Sequence, residues 1–243
     1  MPSNKRNYKK IRPSDDANTA RLKLILAAER LFAEHGLSGV SLREINEAAG
    51  SRNASAVHYH FGSREGVVRA IVEHRVPAIG ARRAVLLEEL RNEKRGADIR
   101  ALLNCLIKPL VAELLPRPEG NYYLRFSERF RREIKHFPKA YTEDVVSGWV
   151  QTKKSIRDAL FFLPPTVIEY RTRFGDEMAV STLASIEAGL AEGDLSPADL
   201  PLMLEILIDG IAAAYLAPVT PETSRALSGR NGSARASKSR KAR

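Results

Sequence analysis

Arg52, Asn53, Ser55, His58 and Tyr59 place five hydrogen-bonding side chains close together, interleaved with the small residues Ala54 and Ala56. Arg, Asn and Ser are types that reach base edges, whereas Tyr59 suits a phosphate oxygen. Most contacts of such a cluster are expected on phosphate, because protein–DNA interfaces spend at least half of their hydrogen bonds there. Ala54 and Ala56 allow close approach or contact with a thymine methyl. Other chemistries lack their parts. His58 and His60 stand two apart, so on a helix they do not face the same way, and no third ligand is evident. No metal site is therefore expected. Cys105 is the only cysteine, which excludes an intramolecular disulfide and a cysteine-based zinc site. In its apolar run it reads as a buried, inert thiol. There is no nucleophile–base pair, phosphate loop or metal set, so neither a catalytic residue nor a cofactor is expected, and the chain does not read as an enzyme.

The elements that must position the cluster are legible around it. Ser41 followed three residues later by Glu44 is a capping box that opens a helix. Leu42, Ile45 and Ala49 give that helix one apolar face, and Gly50 ends it in a left-handed conformation. Asn53 is expected to cap a second short helix, Ala54 to His60, with Val57 and Phe61 on one side. Helix, tight turn, helix is the unit whose second helix enters the major groove of DNA.

Around this unit the chain reads as all-α. A helix is expected from about Thr19 to His35, stopped by Gly36, and another from Ser63 that must kink or break near Arg75 because of Pro77. Further helical patterns run through Ala84–Leu90, Asp98–Leu115, Tyr122–Ile134, Val145–Leu163, Val167–Leu190 and Asp199–Leu216. Asn121 is a further expected cap. Four regions follow: a disordered basic arm at 1–17, a helix-turn-helix domain at 18–76, a helical domain at 77–220, and a disordered basic tail at 221–243. The formal net charge is +10. Residues 1–12 carry five basic side chains and residues 224–243 carry seven, with no acid in either stretch, which leaves 13–223 at −2. The basic character thus belongs to the two ends, where nucleic-acid contact is one expectation and a plain solvated end the other.

TARLKLILAAERLFAEHG, SLREINEAAG and VHYHFGSREGVV, in that order, resemble the N-terminal domain of the TetR family of transcriptional repressors. The resemblance covers residues 19–75, about a quarter of the chain. It implies a dimeric repressor whose helical C-terminal domain binds a small molecule, with ligand changing the separation of the two DNA-reading helices. It also implies phosphate contacts at Ser41 and Arg43, a recognition helix over Asn53–Tyr59, and a phosphate-gripping Arg64. Ala54 and Ala56 stand where the family more usually has Lys and a polar residue, and two further departures stand out. The turn holds one extra residue near Ser51, and His58 stands where the family usually has Tyr.

Beyond this segment, Phe126, Phe130, Trp149, Phe161 and Phe162 are the candidate lining of an apolar effector pocket. Ala179, Leu183, Ile186 and Leu190, together with the very apolar stretch Leu200–Leu216, are expected to form a four-helix interface in a two-fold homodimer. Glu205 and Asp209 interrupt Leu200–Leu216, which argues against a membrane span. With a polar, basic start in place of a signal peptide, a cytoplasmic location is expected. The expected partners are a palindromic operator in double-stranded DNA, a small-molecule effector and a second copy of the chain. A ligand-independent architectural DNA-binding protein is the alternative, and a helical enzyme a remote one.

Overall fold

The computed structural model describes residues 13–53, 55–115, 117–136 and 143–229, with backbone alone at 13–17 and 143–146. All regular structure among these residues is helical: α1 (Pro13–His35), α2 (Leu42–Ala48), α3 (Ala56–Phe61), α4 (Arg64–Asn92), α5 (Ile99–Val111), α6 (Tyr123–Glu133), α7 (Glu143–Ala159), α8 (Pro165–Glu192) and α9 (Leu200–Leu216). A final helical segment, α10, covers Pro221–Gly229. The all-α expectation holds. The ends differ from the reading: α1 begins at Pro13 within the expected arm, and 221–229 of the expected tail are helical. Residues 1–12 and 230–243 lie outside the described residues.

The chain divides into two compact units that are not consecutive in sequence. The first contains residues 1–78 and 113–146, the second 79–112 and 147–243. The reading expected 77–220 as one block; instead α6 belongs with α1. Phe126 and Phe130 on α6 are stacked, 5.8 Å between ring centres, and Phe32 of α1 lies 6.4 Å from Phe126. Leu24, Ile25, Ala28 and Phe32 line the buried side of α1 at helical spacing and share this core with Ile45, Val57, Val67 and Ile71.

A buried ionic ladder lies in the same unit. Arg75 of α4 donates from Nε and one terminal nitrogen to the two carboxylate oxygens of Glu29 on α1, both at 2.7 Å. Its other terminal nitrogen stands 3.5 Å from Glu113, which also accepts from Arg117 at 2.8 Å. Burial pushes the Glu29 carboxyl above its ordinary range, against the pull of Arg75. No spacing rule in the sequence pairs Glu29 with Arg75.

Pro77 neither breaks nor ends α4, which runs through it. Its missing N–H costs one helical hydrogen bond, and the buried side chains Ile71, Val72, Val76 and Ile79 on either side hold the helix in place. Asn121 is likewise not a cap: its side-chain nitrogen donates to the Leu115 carbonyl, and Tyr122 occupies the N-cap position of α6 without a side-chain bond.

In the second unit α5 and α8 both pack on α9. Lys153 is buried and donates to both oxygens of Asp176, at 2.7 and 2.8 Å, and to the Thr172 carbonyl at 3.1 Å. Gly148 and Gly80 bring α7 and α4 together so closely that a Cβ on Gly148 would stand 2.8 Å from the Gly80 carbonyl oxygen. Cys105 is buried in α5, and burial pushes its thiol above the ordinary range.

Ala179, Leu183 and Ile186, expected to face a second copy, are buried within the chain. The exposed large apolar side chains of this hairpin are Tyr170, Phe174 and Met178 on α8, with Leu202, Ile206 and Leu216 on α9. Gly210 lies against Met178, so the two rows adjoin. The period of α8 was legible; its outward face was not, because both faces carry apolar residues. Among the described residues no single helix is long and apolar enough to cross a membrane.

Candidate nucleic-acid interface

Ser41 caps α2 as its spacing requires. Its hydroxyl oxygen accepts from the Glu44 N–H at 3.2 Å, and its own N–H donates to the Glu44 carboxylate at 2.7 Å. Bonds from the Ser41 hydroxyl and from its backbone N–H to the Glu44 carboxylate hold that carboxyl below its ordinary range. Arg43 is exposed and bonded to Glu47 at 2.8 Å one turn on. An exposed pair of this kind is weak enough for a phosphate to displace the carboxylate.

Gly50, at φ +63°, turns the chain out of α2. Residues 49–55 then separate the two helices, longer than the about three or four residues usual in such a motif. The turn is held by its own side chains. Ser51 Oγ accepts from the Asn53 N–H at 3.3 Å and donates to the Asn53 carbonyl at 3.1 Å, while Asn53 Oδ1 accepts from the Ser55 N–H at 2.9 Å. Asn53 therefore builds the turn rather than capping a helix at 54, and α3 starts two residues later than expected, at Ala56. Ala54 lies outside the described residues.

This later start sets which side chains point outward. Ala56 and Val57 are buried, so Ala56 does not reach a thymine methyl, contrary to the reading. Arg52, Asn53, Ser55, His58 and Tyr59 are exposed, and Tyr59 is 82% exposed with its ring edge-to-face on His60. The side chain that fixes α3 against α2 is one that sequence reasoning missed. Asn46 is buried, and its Oδ1 accepts from the Val57 N–H at 3.1 Å, satisfying an orphan donor in the first turn of α3. Arg64, half-buried at the start of α4, donates to the Val40 carbonyl at 2.7 Å and so ties α4 to the approach to α2.

Beside α3 a cavity of about 580 Å3 opens between Thr19, Lys23 and Leu24 of α1, the turn at Gly50–Asn53, and Ala56, Tyr59 and His60 of α3. None of the five aromatics expected to line an effector pocket borders it. Phe126 and Phe130 are core residues of the first unit, whereas Trp149, Phe161 and Phe162 are exposed on the second, Phe161 by 83%.

Compared with known proteins, residues 24–71 match the family described as bacterial regulatory proteins, tetR family. The match spans the whole of α2 and α3 with parts of α1 and α4. The HTH-type transcriptional repressor AcnR of Corynebacterium glutamicum is 35% identical over 57 residues, which is 24% of this chain and 30% of the relative. The AcnR of Corynebacterium efficiens matches to the same extent. The chain thus spans about a third of the length of these relatives. A TetR family transcription regulator from Marinobacter aquaeolei is 16% identical, with a TM-score of 0.49 over 84% of this chain and 98% of that one.

Proposed function

We propose that the protein is a DNA-binding transcriptional regulator, a homodimeric repressor that leaves a palindromic operator when a small apolar or amphipathic molecule binds. The observation that carries the reading is the exposed row Ser55, His58 and Tyr59 on a short α3, fixed to α2 by the buried Asn46–Val57 bond. A helix presented in this way fits a major groove. Arg52, Asn53, Ser55 and His58 are assigned to base edges and upper phosphates, and Ser41, Arg43 and Tyr59 to the backbone. Arg64 holds the loop before α2 and offers a phosphate only those guanidinium nitrogens not given to Val40. The name of the AcnR relatives supports the same class of action.

A second copy is proposed to pack on the α8–α9 hairpin, supported by the exposed row of Tyr170, Phe174, Met178, Leu202 and Ile206. Apolar side chains clustered in this way on one hairpin mark an interaction face. Two copies related by a two-fold axis would set two α3 helices on successive major grooves about one helical turn apart. An effector need only favour the mismatched spacing by about 1–3 kcal/mol to change occupancy several-fold to a hundredfold. The protein is placed in the cytoplasm with its operator.

Selection of bound duplexes from a random pool, followed by footprinting, tests the reading. The expected product is an inverted repeat, with binding that weakens steeply as salt rises. Equal binding of all sequences, abolished by removing 1–12 and 230–243, would instead make the protein an architectural binder.

A further inference from the structure

The buried ionic ladder of the first unit is uneven along its length. At one end Glu29 of α1 and Arg75 of α4 share two bonds of 2.7 Å. At the other, Arg117 donates to Glu113 at 2.8 Å. The rung that joins the two ends, Arg75 to Glu113, is 3.5 Å long, beyond the span of a strong charge-assisted hydrogen bond. Each tight pair is neutral by itself. Opening the long rung therefore leaves Glu29, Arg75 and Glu113 each beside an opposite charge. Parting Arg75 from Glu29 would instead strand a carboxylate that is 1% exposed. The ladder has one place where it opens at low cost.

That place lies where the chain changes units. Between 112 and 113 the chain passes from the second unit into the first, and along α4 it leaves the first between 78 and 79. Glu113 is the first residue on the near side of one passage, two positions after α5 ends, and Arg75 stands about one helical turn before the other. Within the second unit α5 is fastened to α4. Arg83 donates to the Leu106 carbonyl from two nitrogens, at 3.2 and 3.1 Å, and Arg82 donates to the Pro109 carbonyl at 3.1 Å. A displacement of α5 thus reaches Glu113 through the few residues after Pro109, and Arg75 hands it to α1 through Glu29.

We propose that the Arg75–Glu113 rung is the regulated joint of the protein. Closed, it holds α1 and α4 in the arrangement that presents α3; opened by a displacement of α5, it releases them. Arg75 and Glu113 are positioning residues, and Arg117 is the competitor for Glu113 that sets how readily the rung opens. The regulatory sense of the joint rests on the function proposed above; the joint itself does not.

Coupling between two sites is reciprocal, so the joint is readable from the DNA side alone. Amide hydrogen exchange is followed in the full chain, with and without a selected duplex, over α2–α3 and over α5. In the wild type the duplex should slow both, α5 by about fivefold or more. E113Q keeps the size of the side chain and an oxygen for Arg117 but removes the charge facing Arg75, so the duplex should slow α2–α3 alone. R117Q leaves Glu113 to Arg75 and should deepen the slowing of α5. A merely structural contact would move both variants the same way; opposite signs mark the joint. A wild type in which α5 does not respond, or an E113Q that responds like the wild type, overturns it. If E113Q does not fold, R117Q decides, and an α5 response no greater than that of the wild type overturns it. A wild type that binds no duplex removes the DNA reading, and urea unfolding then judges the joint. Trp149, the only tryptophan, reports the second unit, and exchange of α1 reports the first. Midpoints that coincide in the wild type and part in E113Q support the joint; coincidence in both, or parting in both, overturns it.

Discussion

Ser41 shows how one side chain serves fold and contact at once. Its oxygen closes the cap of α2, its exposed edge is proposed for a phosphate, and the two roles separate by substitution. Aspartate caps a helix about as well as serine but brings a negative charge to the place proposed for a phosphate. S41D should therefore melt with the wild type yet lose at least about tenfold in duplex affinity, one charged contact's worth; unchanged affinity would remove Ser41 from the interface. Glu44 supplies the acid dependence. Its folded pKa lies below the ordinary 4.5, so the folded state binds fewer protons than the unfolded one as the pH crosses that region. The stability it gives is complete above the ordinary value and is lost as the pH falls through the folded one. Helicity of the wild type followed on acidification should drop earlier than in E44Q, which has no proton to take up. The Ser41–Glu44 pair was legible because a cap is a rule of spacing over three residues. Asn46 was not: in sequence it is one more polar residue between Ile45 and Glu47, and only the arrival of α3 turns its amide into a clamp.

At the scale of elements, the existence and period of the helices were legible and their partners were not. The four-residue spacing of Phe126 and Phe130 predicts an amphipathic α6, but Ser38 and Glu133, whose 2.7 Å bond joins the α1–α2 loop to the end of α6, lie 95 positions apart. No local pattern reports a contact over that separation. Pro77 is the opposite case, a local rule overruled by packing. Its ring removes one helical hydrogen bond, yet buried neighbours keep α4 continuous. P77A restores the missing donor and should raise the melting temperature; a lower one would mean that the proline shape itself is packed against. α3 was misplaced by two residues because Asn53 satisfies a turn as readily as a cap, and Asx chemistry reads alike in sequence for both. That shift is what takes Ala56 out of the reading face and leaves His58 and Tyr59 on it.

For the whole molecule, the proposed two-fold assembly depends on a hairpin face that one chain leaves open. Phe174 and Ile206 are 58% and 61% exposed, so a charge there costs the single chain little and the assembly much. F174E and I206E should retain wild-type helicity while sedimenting as monomers, with operator affinity lost by more than about a hundredfold as the second half-site contact disappears. A wild type that is monomeric at working concentration would remove this face from the mechanism. The basic ends were legible as charge. The discontinuous first unit, by contrast, follows from where α6 finds apolar cover.

The solitary thiol makes the second unit its own witness. Cys105 is sealed in α5 and held protonated by its burial, and a chain with no other cysteine gives a thiol-reactive dye no competing target. Labelling under native conditions then proceeds only as fast as α5 opens, and its rate reads the local opening free energy. A molecule that binds the second unit should slow this clock whether or not DNA is present. Small-molecule partners can thus be sought by kinetics before any operator is known.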